Sequence, residues 1–259
     1  EALLGAQEAY AALLLEIRER APAHAAVVAA EITGWRAASA RLGSDEALIE
    51  YLLSDSMSVA FVIVRDTMAM VDLSTHRREL ARLTEFVRGT LEPRGSVRMD
   101  SLWRGPLRRL HRHLVAPIEE TGLLAGKARL VLVPHGELHF LPFAALQDDT
   151  GRFLIERYEI SVTPSASVWV ALGDRRRDRP GTGVLAMAPR PDALPASRRE
   201  VAAIGRQLGR ETQVLTAEAA TEAVFRRDAP SRRMLHLATY GVLNQQNPLF
   251  SFVELAPGG

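Results

Sequence analysis

Residues 127–146, KARLVLVPHGELHFLPFAAL, constrain the fold more than any other stretch of the chain. Leu130, Val131, Leu132 and Val133 form a short apolar run with β-branched members, bounded by charge on one side and by Pro134 on the other. Such a run predicts a central strand of a parallel sheet, apolar on both faces. Pro134, His135 and Gly136 then predict a tight turn, after which Leu138, Phe140, Leu141, Pro142 and Phe143 return the chain to the core. In open α/β sheets, sites are built at turns following the carboxyl ends of strands, which makes this turn a candidate functional position.

Upstream, Leu3, Leu4, Tyr10, Leu13, Leu14 and Ile17 recur at helical spacing, and Pro22 stops the pattern. This helix reads either as a plain packing helix or as the end of a helical array in a longer protein. Ser44 and Asp45 predict the cap of a short helix carrying Leu48, Ile49, Leu52 and Leu53. Val59 to Val64 and Met68 to Leu73, separated by Arg65, Asp66 and Thr67, predict a hairpin. Leu80, Leu83, Val87 and Leu91 mark a helix, and the polar stretch from Glu92 to Asp100 a loop or sub-domain boundary. The next helix turns Leu107, Leu110, Leu114 and Ile118 inward and Arg104, Arg108, Arg109, Arg112 and His113 mostly outward. That basic face is either solvated or a contact for an acidic partner. His111 and His113 are two apart on a helix, diverge, and make a poor metal pair.

Downstream, Tyr158 to Thr163 reads as a strand and Ser165 as the cap of a helix containing Val168, Trp169 and Leu172. A serine in a strand-to-helix turn also admits a nucleophile, although the GxSxG pattern is absent. The charged stretch from Asp174 to Gly183 reads as a surface loop, with a processing site as the alternative. Val184 to Ala188 reads as a buried strand, Ser197 and Glu200 as a capping box, and Thr221 as the cap of a helix through Val224 and Phe225. In Met234 to Thr239 one strand face carries Met234, His236 and Ala238, so His236 is expected half-buried with a hydrogen-bonded partner. Leu130 to Val133, Val184 to Ala188 and Met234 to Thr239 are accordingly expected as neighbouring, mostly parallel strands of one sheet. His135 and Tyr240 would then share its carboxyl rim.

Composition closes off several functions. Lys+Arg number 32 and Asp+Glu 31, a net charge of +1, which gives no bulk argument for nucleic acid or an anionic membrane. No apolar stretch approaches a membrane span, and no signal peptide is legible, so a soluble, cytoplasmic protein is expected. The chain has no cysteine. Within these residues that removes disulfides, cysteine metal sites and any thiol nucleophile.

Two ordered motifs carry a family resemblance. PHGELHFLPFAAL, residues 134–146, resembles the motif that opens the peptidase half of CHAT domains, caspase-like modules often attached to tetratricopeptide repeats. LHLATYGVLNQQNPLFSFVELA, residues 235–256, resembles the family's second signature. Weaker matches lie between them: Phe153-Leu154-Ile155 with Tyr158, Thr163-Pro164-Ser165, and Leu194-Pro195 followed by Glu200. The resemblance covers about Leu42 to the end, and implies a caspase-like three-layer α/β/α sandwich with a mostly parallel central sheet. A smaller α/β region and an N-terminal helix would precede it, dividing the chain into residues 1–41, 42–121 and 122–259.

The resemblance also implies a Cys–His dyad, and this chain departs from it. The family places its general-base histidine just before the glycine at Gly241, and here that position is Tyr240. A phenol titrates near ~10 and an imidazole near ~6.5, so tyrosine at neutral pH is a proton donor and does not replace the base. The family's cysteine lies on a later strand than these residues reach, and Phe252 stands where a small residue is usual. Tyr240 and Gly241 are therefore the candidate site positions. His135, in the other motif, is read first as a support for its turn and second as a site residue. No cofactor or metal is expected, and the partners implied are proteins or peptides, with helical-repeat domains of the same protein among them.

Three function readings follow. The favoured one is a CHAT-domain protein that is catalytically silent and acts as a binding or regulatory module. A second is an active endopeptidase whose cysteine lies beyond residue 259. A third is a serine hydrolase using Ser165 or Ser251 with His236, which requires a serine hydroxyl within hydrogen-bond reach of that histidine.

Overall fold

A computed structural model describes residues 32–91, 102–175, 181–242, 244 and 251–258, together with scattered positions between 5 and 20. Gly5, Ala9, Leu13 and Ile17 are helical, in keeping with the predicted first helix, whereas Leu3, Leu4, Tyr10 and Leu14 lie outside the described residues. So do the polar stretch 92–101 and residues 176–180 of the loop expected over 174–183. The chain divides into two units, Glu1–Arg175 and Arg176–Gly259.

Unit 1 is built on a five-stranded sheet of order β3-β2-β1-β4-β5. Its strands are β1 (Glu46–Leu52), β2 (Val59–Val64), β3 (Thr67–Asp72), β4 (Arg129–Val133) and β5 (Glu159–Val162). The first three pair antiparallel, and β1, β4 and β5 pair parallel. The hairpin between β2 and β3 forms where expected, turning at Asp66 with φ 65°. β1 corrects the helix expected over Leu48 to Leu53. Its apolar residues point both ways, Ala47, Ile49 and Tyr51 into one core and Leu48 into another. A strand buried on both faces has no alternation to betray it, so the spacing mimics a helix until tertiary pairing decides.

Those two cores make unit 1 a three-layer α/β/α sandwich. On one face, helices α2 (Arg77–Leu91), α3 (Arg104–Leu114) and α4 (Ala116–Glu120) bury Leu80, Val87, Leu107, Leu110, Leu114 and Ile118. On the other, α1 (Trp35–Ser39) and α5 (Ala166–Arg175) bring Ala38, Ala166 and Val170 onto Leu48, Ile63, Val131 and Val133. The single helix expected through Ile118 is two, because Pro117 in the first turn of α4 has no N–H to continue the α3 ladder. The Leu114 carbonyl at that break accepts from the Tyr51 hydroxyl at 3.2 Å. Ser165 caps α5 as predicted, its hydroxyl accepting from Val168 N at 3.1 Å.

Unit 2 repeats the layering on a parallel three-stranded sheet of order β7-β6-β8. The strands are β6 (Val184–Ala188), β7 (Thr212–Thr216) and β8 (Met234–Leu237), and every residue of β6 is buried. Helix α6 (Pro195–Leu208) sets Val201 and Ile204 against Val184, Ala186, Ala188 and Ala238. Helix α7 (Glu222–Asp228), capped as expected by Thr221, sets Phe225 against Leu185, Met187, Leu215 and Leu237 on the opposite face.

The chain is thus an α/β fold with largely parallel strands and helices on both faces, compatible with a caspase-like sandwich. One detail is corrected: β4, β6 and β8 do not share a sheet. β4 has β1 on one edge and β5 on the other, and β6 is likewise flanked by β7 and β8. Apolar runs show that strands are central, but leave open which edges meet. Once both edges of β4 are filled, β6 has nowhere to join it.

Candidate functional site

β8 leads directly into the candidate positions. Ala238 N donates to Met187 O at 2.8 Å, so pairing with β6 continues one residue past the strand. The chain then turns into β9 (Gly241–Val242), which pairs antiparallel with β10 (Phe252–Val253), a ribbon that neither motif had suggested. Segment 252–256 holds this exit in place. Thr239 Oγ1 donates to Glu254 O at 2.7 Å, Glu254 N to Tyr240 O at 2.9 Å, and Ala256 N to Ala220 O at 3.0 Å. Glu254 also forms an ion pair with Arg190.

Tyr240 is 43% exposed, and its hydroxyl donates to Ala193 O at 3.3 Å in the turn that precedes α6. The phenol therefore donates its proton to a backbone carbonyl. Gly241 has an ordinary φ, and a Cβ there would meet nothing within 4 Å. Its backbone does not require glycine.

His236 points from β8 to α6, where its Nε2 lies 2.8 Å from Glu200 Oε1, with side chains 33% and 50% exposed. This is the half-buried, partnered histidine the sequence predicted. The capping box does not form: Leu194 is the N-cap of α6, the Ser197 hydroxyl donates to Leu194 O at 2.7 Å, and Glu200 serves His236. Proline at the first helical position already supplies the start of that helix, leaving the glutamate free for a tertiary contact. Nothing local separates a glutamate that caps from one that reaches across to a strand.

The first motif lies in unit 1, so His135 and Tyr240 belong to different sheets and share no rim. His135 Nδ1 accepts from Leu53 N at 3.2 Å, which puts the proton of the neutral ring on Nε2. Gly136 adopts φ 56°, and Glu137 receives Arg77 through Nε at 3.1 Å and Nη2 at 2.8 Å. That guanidinium holds the Glu137 carboxyl below the usual range. PHGE thus ties the end of β4 to the end of β1 and the start of α2. His135→Ala leaves the N–H of buried Leu53 unpaired and is expected to destabilise by about 1 kcal/mol, read from urea unfolding. An unchanged midpoint would remove this role.

The serine arrangement gains no geometry. Ser165 Oγ is engaged as a helix cap, Ser251 Oγ accepts from Asn244 N at 3.0 Å, and the ring contact of His236 is Glu200. Among the described residues no group of His, Asp and Glu is arranged to hold a metal ion. No helix among them is long and apolar enough to cross a membrane.

A parallel three-layer unit whose edge strand opens into a Thr-Tyr-Gly turn is compatible with a caspase-like α/β sandwich. The comparison with known families is specific: the model described as CHAT domain matches residues 104–259. This chain belongs to the CHAT-domain family, which is related to caspase-like peptidases. It is also 33% identical over 100 residues to tetratricopeptide repeat protein 28 of Mus musculus. That match covers 34% of this chain and only 4% of the mouse protein's length.

Proposed function

We propose that this chain is a catalytically silent CHAT module that binds protein or peptide, not one that hydrolyses it. The observation that carries the reading is Tyr240, which stands at the base position and donates its hydroxyl to Ala193 O. A base must accept the nucleophile's proton, and a phenol already donating to a carbonyl is arranged for the reverse. None of the 259 residues supplies a thiol for a base to activate. The likeness to a tetratricopeptide-repeat protein supports a setting beside helical repeats.

The test is cleavage of a fluorogenic peptide library by the purified chain and by Tyr240→His. Neither is expected to turn over, because an imidazole restored at residue 240 has no thiol to serve. Turnover by the unmodified chain that responds to a serine-directed reagent and is lost in Ser251→Ala would overturn the reading.

A further inference from the structure

Positive charge in this nearly neutral chain is concentrated on one helix pair. α2 carries Arg77, Arg78, Arg82 and Arg88 against Glu79 and Glu85, and α3 carries Arg104, Arg108, Arg109 and Arg112 with no acid. Eight arginines against two glutamates leave six excess charges, where the whole chain has a net +1. All eight cations are guanidiniums, whose planar fork of donors matches a carboxylate in two-point contact better than an ammonium does.

The two helices pack side by side, and a cavity of ≈ 700 Å³ opens at the N-terminal half of α2. Asp55, His76, Arg78, Glu79, Arg82, Leu83 and Arg109 line it. One of its two acids, Glu79, is already engaged. Glu79 takes Arg109, the Thr75 hydroxyl at 3.2 Å and His113 at 3.4 Å. Asp55 reaches Arg78 only at 3.8 Å, with both side chains largely in solvent. Arg82 has neither an ion pair nor a hydrogen bond among the described residues. One turn along α2 from it stands Phe86, 48% exposed.

We infer that this cavity between α2 and α3 is a docking site for an acidic peptide segment. A partner carboxylate would fork onto Arg82 and Arg78, and an apolar partner residue would lie against Leu83 and Phe86. The inference rests on the proposed reading of the chain as a binding module and names the chemistry of its partner. A nucleic-acid backbone fits less well. Phosphates at fixed intervals would be driven onto Asp55 and Glu79, and the Trp103 ring at the start of α3 is already covered by Arg104 and stacked with Phe153.

Fluorescence anisotropy of the 259-residue chain with three labelled probes tests it: a Glu-Glu-Leu repeat peptide of about twelve residues, its Gln-for-Glu counterpart, and an oligothymidine of similar charge. The Glu peptide is expected to bind, and to weaken strongly between about 50 and about 500 mM NaCl. Arg82→Glu should raise its Kd roughly tenfold or more, since an attraction becomes a repulsion, while Arg82→Lys loses less. Arg82 is exposed, and matching thermal unfolding of the variants confirms that the fold is intact. No binding, equal binding of the Gln peptide, or an unchanged Kd in Arg82→Glu overturns the inference. Tighter binding of the oligothymidine, lost in the same variant, overturns it in favour of nucleic acid. None of these outcomes alters the cleavage result, so failure here is distinguishable from failure of the silent-module reading.

Discussion

Gly183→Ala is expected to destabilise unit 2 by on the order of 3 kcal/mol or more, whereas Gly241→Ala should change stability by less than about 0.5 kcal/mol. Gly183 opens β6 with φ 70°, and a Cβ there would stand 2.1 Å from Glu211 O and 2.9 Å from Glu211 Cβ. Left-handed backbone costs a residue with a Cβ about 1–2 kcal/mol, and a carbonyl at that distance must move as well. The Gly183 carbonyl meanwhile receives Arg233 N at 3.2 Å and Met234 N at 3.3 Å, so a shift there also disturbs the start of β8. Gly241 has an ordinary φ and open space around it, and serves as the internal comparison. Thermal unfolding followed by circular dichroism separates the two. Equal losses at both positions would show that the approach to Glu211 does not decide the matter.

Unit 1 is expected to lose stability on mild acidification through His111. This residue is 4% exposed on α3, and its Nε2 lies 3.9 Å from Glu119 Oε2 with no hydrogen-bond partner. The groups facing it are Glu119 on α4 and, from the segment after β4, Arg157, Asp148 and Asp149. Burial pushes the imidazole pKa down; Glu119 acts in the opposite direction without cancelling it, and Arg157 reinforces the fall. With its folded pKa below the unfolded value near ~6.5, the unfolded chain binds the extra proton first. The contribution is therefore fully present above about pH 6.5 and is lost as pH falls toward the folded pKa, at no more than about 1.4 kcal/mol per pH unit. His111→Gln keeps a polar side chain and removes the titration. Urea unfolding at successive pH values should show the unmodified chain losing more stability than the variant below about pH 6.5. Parallel profiles would exclude His111 as the source.

How far the sequence could be read depended on how local the deciding interaction was. The β2–β3 hairpin, the Ser165 and Thr221 caps and the buried run of β6 were legible because each rests on neighbouring residues and short-range geometry. β1 was not legible. Leu48, Ile49 and Leu52 have helical spacing, and they lie in a strand because β2 and β4 occupy both of its edges. Of the candidate positions, Tyr240 and Gly241 stood out through a dipeptide at a strand end, but Glu254, Arg190 and Ala193, which hold that turn, carry no pattern that announces it.

Residue order alone shows that no thiol stands among these residues, that tyrosine precedes Gly241, and that apolar runs alternate with capped helices. All three can be read without knowing what touches what. Long-range packing divided those runs between two sheets, because strand pairing is a contest for edges, and β1 and β5 take both edges of β4. It also decided that His135 gives Nδ1 to the Leu53 N–H and that Glu200 turns from a cap to His236. These contacts join residues 82 and 36 positions apart, far beyond the reach of any local pattern.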